Sequence, residues 1–425
     1  MTVLVFIGAL LGAMALGTPI AYALLVCGVA LMWHLDMMDA QILAQNLING
    51  ADSFPLLAVP FFMLAGEIMN VGGLSQRIIN LALTLVGHVR GGLGYVTILA
   101  AVLMAALSGS AVADTAALAA LLLPMMKAAG HDPGRAGGLI ASAGIIAPVI
   151  PPSIGFVIFG VAANVSIGKL FMAGIVPGLL LGVGIAITWW WVARHENVAP
   201  PPRASRAQRA EAFRSSLWAL FLPVIVLVGL KMGVFTPTEA AVVAAMYALF
   251  VATVIYRELP LARLVPVFVS AAKTTAVIMF LVAAAMVSAW LITVANLPAE
   301  LTALLQPLID KPTLLLIVIM IVTMVVGTAM DMTPTILILT PVLMPLVKAA
   351  GIDPVYFGVL FIINNAIGLI TPPVGTVLNV VAGVGRMKMD TVTLGVLPFM
   401  VAQFAVMFLL VIFPQLVLVP LKWFY

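Results

Sequence analysis

Apolar stretches of near-membrane length follow one another along almost the whole chain, and that pattern decides what it can fold into. They run at about 2–16, 18–35, 54–72, 93–126, 136–166 and 171–193, then at 217–232, 236–256, 265–295, 313–347, 355–383 and 391–421. A helix needs about 20 apolar residues to cross a bilayer. A soluble fold would have to bury all of these stretches at once. With 64% hydrophobic and 8% charged residues the chain has no polar shell to cover them, whereas soluble proteins carry roughly 25% charged residues. An all-α polytopic membrane protein is predicted. The single Cys excludes a disulfide framework and a multi-Cys metal site, and His34, His88, His131 and His195 lie far apart near predicted loops, against a His-based metal site. A net charge of +4 reads as an orientation signal, not as nucleic-acid affinity.

The chain opens MTVLVFIGALLGAMALG, with no basic residue ahead of the apolar run, so the first stretch is expected to stay as a helix and not to be cleaved. Lys422, Trp423 and Tyr425 are expected to anchor the other end at a membrane surface. Trp189, Trp190 and Trp191, just before Arg194, read as an aromatic belt.

Several stretches are interrupted in the middle. Ser108-Gly109-Ser110 divides 93–126, and Pro151-Pro152-Ser153 divides 136–166. Gly327-Thr328 and Thr371-Pro372-Pro373 divide 313–347 and 355–383 in the same way. Proline removes a backbone donor and breaks the helical ladder. Backbone freed at membrane depth is tolerated only where protein buries it or where it lines a watery cavity.

The interruptions belong to an internal repeat. Lys127-Ala128-Ala129-Gly130-His131-Asp132-Pro133 returns as Lys348-Ala349-Ala350-Gly351-Ile352-Asp353-Pro354, Pro151-Pro152 as Pro372-Pro373, and Gly174 with Pro177 as Gly395 with Pro398, all at an offset of 221 residues. Thr18-Pro19 and Gly109 return at an offset of 218 as Thr236-Pro237 and Gly327. Residues 1–193 form the first repeat, with scaffold helices in 2–72 and a hairpin and broken helix in 93–166. Residues 194–216, with Arg194, Arg203, Arg206, Arg209 and Arg214, form a solvated linker. Residues 217–425 form the second repeat, with scaffold helices in 217–295 and a hairpin and broken helix in 313–383. If both hairpins are re-entrant, each half crosses five times and the halves are inverted. With the linker in the cytoplasm, Arg77, Arg90, Lys127, Arg135, the linker arginines, Arg257, Arg263, Arg386 and Lys388 fall inside. Lys169, Lys231, Lys311, Lys348 and Lys422 fall outside, and Lys273 is ambiguous. This sorting obeys the positive-inside rule and puts both termini outside. Inverted repeats with paired broken helices point to a secondary transporter with a midplane site.

The segments FPLLAVPFFMLAGEIMNVGGLSQRI, SGSAVADTAALAALLLPMM and IAPVIPPSIGFVIFG, with GTAMDMTPTILILTPVLMP and GLITPPVGTVLNVV in the second half, resemble the large, DctM-like membrane subunit of tripartite ATP-independent periplasmic (TRAP) transporters over essentially the whole chain. The resemblance implies an inverted-repeat, elevator-type fold of the ion-transporter superfamily, with two re-entrant hairpins and two discontinuous helices. It implies uptake of an organic acid (a C4-dicarboxylate, sialic acid or another carboxylate) across the bacterial inner membrane, driven by sodium. It also implies two partners, a small four-helix DctQ-like membrane subunit, expected as a separate chain, and a periplasmic DctP-like binding protein. No cofactor and no enzymatic activity are expected beyond Na+ as coupling ion.

Resemblance and symmetry together assign the site. One sodium is expected between Ser108, Gly109, Ser110 and Val112 and the break at Pro151 and Pro152. A second is expected between Gly327, Thr328 and Met330 and the break at Thr371, Pro372 and Pro373. Asp114, Ser153, Asp331, Thr333, Asn364 and Asn365 are the substrate-region candidates. Asp114 and Asp331 either contact a cation or cap the following half-helix. Asn364 and Asn365 either bond backbone groups freed by the break or line the site. Glu67 and Glu239 are expected to be interfacial or structural. The nearest rival is a stand-alone sodium-coupled anion carrier of the same superfamily. An intramembrane enzyme would need a base beside Ser108 or Ser110, and no His lies in a predicted mid-span.

Overall fold

The structure, a computed structural model, describes residues 2–196, 198–296, 299, 303 and 305–424, and no strand occurs among them. The first half contains α1 Thr2–Ala15, α2 Ile20–His34, α3 Ala40–Ala51, α4 Ala58–Val71, α5 Leu74–Val86, α6 Gly92–Ser108, α7 Ala111–Ala128, α8 Pro133–Gly144, α9 Ile154–Ala163 and α10 Ile167–Ala193. The second contains α11 Arg206–Lys231, α12 Pro237–Phe250, α13 Leu261–Val294, the single turn α14 Gln306–Ile309, α15 Pro312–Ala329, α16 Met332–Ala349, α17 Pro354–Gly368, α18 Thr376–Gly385, α19 Met389–Ile412 and α20 Gln415–Phe424. Among the described residues, nine helical segments are long and apolar enough to cross a membrane. The chain is a multi-pass, all-helical membrane protein.

The repeated KAAG-x-DP heptapeptide is a helix stop followed by a helix start. Gly130 and Gly351 take positive φ (93° and 67°) beyond α7 and α16, the left-handed conformation that ends helices. Asp132 and Asp353 then cap the next helices: Asp132 Oδ1 accepts from Arg135 N–H, and Asp353 Oδ1 from Val355 and Tyr356 N–H. Pro133 and Pro354 follow at the first helical position, where a missing N–H costs nothing.

Four elements depart from the sequence reading. Helices α3 and α5 fall outside the twelve apolar stretches, being short and amphipathic. The linker ends at Ser205, because Ser205 and Gln208 form a capping box that starts α11 at Arg206; residues 206–216 are helix. The 391–421 stretch divides at Phe413-Pro414 into α19 and α20. Trp189 is not part of an aromatic belt. It is fully buried, donates from Nε1 to Gly91 O at 2.8 Å and stacks on Phe399. A Cβ on Gly94 would overlap its indole. Trp190 and Trp191 are exposed, with the Arg194 guanidinium over both rings. At the other end Lys422 and Trp423 are exposed, and Tyr425 lies outside the described residues.

One group of helices packs α12 on α4, α13 on α2, α3 and α4, and α11 on α5. Ser270 donates to Glu67 Oε1 across α13 and α4, and Arg77 of α5 pairs with Glu258 at 2.7 Å while lying over the Tyr256 ring. Glu239 completes a capping box with Thr236 at the start of α12. Both glutamates are structural, as expected.

The other group interlocks the two halves. Helix α8 packs on α19 and α17 on α10, while α7 packs on α18 and α16 on α9. The second arm of each hairpin (α7, α16) therefore lies against a helix that follows the break in the other half. At the base of the first hairpin, His131 Nδ1 meets Glu196 Oε2 at 2.5 Å with both side chains buried, and Arg135 approaches the same carboxylate at 3.6 Å.

Candidate functional site

The hairpin tips and the helix breaks meet inside the interlocked group. At the first junction, α6 ends at Ser108 and α7 begins at Ala111. Gly109 turns the chain with φ 63°, a conformation that costs residues with a Cβ. Its closeness to the opposite break makes the requirement stricter. A Cβ built on Gly109 would overlap the Pro152 carbonyl oxygen and stand 3.1 Å from Ser153 Cα. Tip and break are thus in contact, backbone against backbone.

Side chains organise this tip. Ser108 Oγ donates to Asp114 Oδ1 at 2.5 Å and accepts from Ser110 N–H at 3.2 Å. Ser110 caps α7 by accepting from Ala113 N–H. Asp114 is therefore not the cap. It sits in the first turn of α7, 1% exposed, and its Oδ2 has no hydrogen-bond partner among the described residues. Val112 lies inside α7 with its side chain exposed; its carbonyl is engaged by the helical ladder. Across the junction, residues 145–153 are all buried. Ser153 caps α9, donating to Pro148 O and accepting from Phe156 N–H.

The second junction repeats the arrangement with different contacts. Gly327 lies against Gly368, the last residue of α17: a Cβ built on Gly327 would stand 3.6 Å from Gly368 Cα. Thr328 O accepts from Val374 N–H at 3.4 Å, so tip and break share a backbone hydrogen bond. Thr328 Oγ1 donates within its own helix to Val325 O, and Thr371 Oγ1 to Ile367 O. Met330 is extended between α15 and α16. Both Pro-Pro bonds, 151–152 and 372–373, are cis. Asp331 occupies the N-cap position of α16, yet its side chain makes no capping bond. Thr333 is half-buried in the first turn.

Asn364 and Asn365 do not serve the broken segment. Asn364 Nδ2 donates to Met320 O of α15 at 2.7 Å, tying α17 to the first arm of the hairpin, and Asn365 Nδ2 donates to Phe361 O. Both carry an Oδ1 without a partner among the described residues. The residue that does bond the break is Asn379, whose Nδ2 donates to Val374 O at 2.7 Å. Gln403, fully buried in α19, donates to Ser142 O of α8. Asn379 and Gln403 were missed in the sequence. Their signal is a lone amide in an apolar run, at TVLNVV and MVAQFAV.

The two junctions differ in exposure. At the first, Val112 on the tip is exposed but the break, residues 145–153, is buried throughout, whereas at the second both sides are open, with Asp331, Pro373, Val374 and Asn379 exposed. They adjoin each other, because the Met332 methyl lies 3.2 Å from where a Cβ on Gly155 would stand. Each junction sets the C-terminal end of two helices, rich in carbonyl oxygens, beside the N-terminal end of two others. Carbonyl ends suit a hard cation and amide ends suit an anion.

The chain matches a family profile, "Tripartite ATP-independent periplasmic transporter, DctM component", over residues 7–416. It is 62% identical to the 2,3-diketo-L-gulonate TRAP transporter large permease protein of Escherichia coli, over 100% of both chains. It is 39% identical to the sialic acid TRAP transporter large permease protein of Vibrio cholerae, over 96% of each. It is 38% identical to the C4-dicarboxylate counterpart of Pseudomonas aeruginosa, over 90% of this chain and 89% of the relative. Among solved structures it is similar in fold to the YdaH transporter of Alcanivorax borkumensis, with a TM-score of 0.63 and 17% identity over 88% of this chain and 89% of that one.

Proposed function

The chain belongs to the family of DctM components of tripartite ATP-independent periplasmic transporters, and from that premise we propose that it is the large permease subunit of a sodium-coupled carboxylate importer of the bacterial inner membrane. Its relatives are transporter permeases, not enzymes. The observation that carries the proposal is the paired junction, in which Gly109 lies against the Pro152 carbonyl and Thr328 bonds Val374. Hairpin tips held on broken helices by backbone contacts are what an ion would order by binding between them.

In this reading both hairpins are re-entrant, and one sodium binds at each junction, through hydroxyl and carbonyl oxygens. The substrate carboxylate sits at the exposed second junction, near Asp331 and Thr333 and the amide end of α18. The interlocked helices α6–α10 and α15–α19 move as one body past the scaffold of α1–α5 and α11–α13. A small membrane subunit holds that scaffold, and a periplasmic binding protein delivers substrate. The relative with 62% identity makes 2,3-diketo-L-gulonate, or a sugar acid of the same class, the first substrate to test.

The experiment is uptake into proteoliposomes containing this chain and its small subunit, with loaded binding protein outside. Uptake that needs an inward sodium gradient and the binding protein is expected. Uptake by this chain with substrate free in solution would refute the tripartite reading, and uptake indifferent to sodium would refute the coupling.

A further inference from the structure

A cavity of about 530 Å³ lies at the linker end of the molecule, and none of its lining residues belongs to either junction. One wall is the base of the first hairpin, with Leu93 and Met125; the facing wall is the scaffold helix α5, with Leu83 and Thr84. The linker closes it as a strap. Three consecutive prolines, 200–202, stiffen that strap. Its far end is held by the Ser205 capping box and by Arg209 Nε donating to Ala204 O at 3.1 Å.

The cavity's chemistry is amphipathic. Leu83, Leu93, Met125 and Pro201 give it apolar sides, and Arg203 brings a guanidinium to its rim. Arg203 makes no hydrogen bond or ion pair with any described residue. Among the described residues no carboxylate lines the cavity, and Glu196, the acid just upstream in the linker, is already held by His131 and Arg135. His88 also lines it, and its Nδ1 has no hydrogen-bond partner among the described residues. A bare cation beside an apolar slot matches a phosphate carried on an acyl chain.

We propose that this cavity holds the headgroup of an anionic phospholipid, its phosphate on Arg203 and its glycerol and upper acyl chain between hairpin and scaffold. Because the two walls belong to the two bodies of the elevator reading, the lipid braces them; that consequence rests on the proposed mechanism, whereas the binding does not.

The test is native mass spectrometry of the delipidated full-length chain. The probes are phosphatidylglycerol, phosphatidylcholine and glycerol 3-phosphate. Phosphatidylglycerol is expected to bind about fivefold more than phosphatidylcholine, the share of one basic side chain. Arg203→Glu is expected to remove that preference and Arg203→Lys to keep it. Ala129→Phe, which fills the cavity without touching its charge, is expected to lower binding of both lipids and guards against a charge effect elsewhere. Unchanged phosphatidylglycerol binding by Arg203→Glu, or equal binding of the two lipids, would overturn the proposal. Competition by glycerol 3-phosphate as strong as by the lipid would also overturn it, in favour of a soluble phosphate compound. None of these readouts depends on transport.

Discussion

Gly109 and Gly327 hold matching places in the two hairpins, yet they should not respond alike to a methyl group. Gly109 has a positive φ and faces backbone atoms that cannot swing aside. A Cβ on Gly327 meets Gly368 Cα at 3.6 Å, an ordinary contact. The left-handed conformation alone costs an alanine about 1–2 kcal/mol, so Gly109→Ala is expected to cut uptake about tenfold or more. Gly327→Ala should stay within about twofold in the same assay. Equal losses would mean that tip shape, not contact with the break, governs both. Ser108→Ala makes a second prediction. It strips the bond from Asp114 Oδ1 while Oδ2 already has no partner. A buried acceptor left bare costs about 1–3 kcal/mol, to be read as a lower thermal midpoint in detergent. Small residues in a span often serve only close helix packing; those of the tips were legible because they interrupt stretches too long for one crossing and recur in both halves. The bond to Asp114 was not, since Ser110 was equally available as the cap and only the turn geometry decides between them.

At the scale of elements, the helices and their interruptions were visible as hydropathy broken by Gly and Pro, and capping side chains mark the starts of α3, α7 to α12 and α17. Helices α3 and α5 were invisible to that criterion. The Ser75, Gln76, Arg77 and Asn80 side chains of α5 dilute its hydropathy, although its other face packs on α6 and α11. Trp189 was misread for the reverse reason, because three tryptophans before an arginine fit an interface and only packing separates the one that turns inward. Its burial yields a prediction for α10. Trp189→Phe keeps an aromatic ring facing Phe399 but loses the bond to Gly91 O, a loss of about 1 kcal/mol. Trp189→Ala empties a large buried site and should cost about 3–5 kcal/mol. Thermal unfolding of the two variants checks the ordering, and a belt residue would show almost no effect in either.

For the whole molecule, the repeat was readable from recurring residues, but the way its halves engage was not, because offsets in sequence carry no information on which faces meet. The interlock has a functional consequence. Hairpin arms α7 and α16 each pack on the other half, and Met332 at the start of α16 abuts Gly155 in α9. The two junctions are therefore in direct contact, a route by which order at one would reach the other in the proposed mechanism. If sodium occupies the junctions and substrate the exposed one, sodium must raise substrate affinity, and substrate must raise sodium affinity by the same factor. A factor of about ten, or about 1.4 kcal/mol, lies within the usual range of such couplings. Titrating each ligand with and without the other in the purified complex measures both factors. Gly155→Val is the variant that tests the route. Even its Cβ would stand 3.2 Å from the Met332 methyl and 3.3 Å from Ile362 Cδ1, so the added branches must push both side chains aside and alter the contact. Coupling carried by this contact should shrink in Gly155→Val, with the two factors still equal to each other. Full coupling in that variant would mean that the junctions communicate through the other pairs, α7 with α18 and α8 with α19, and no longer through Met332.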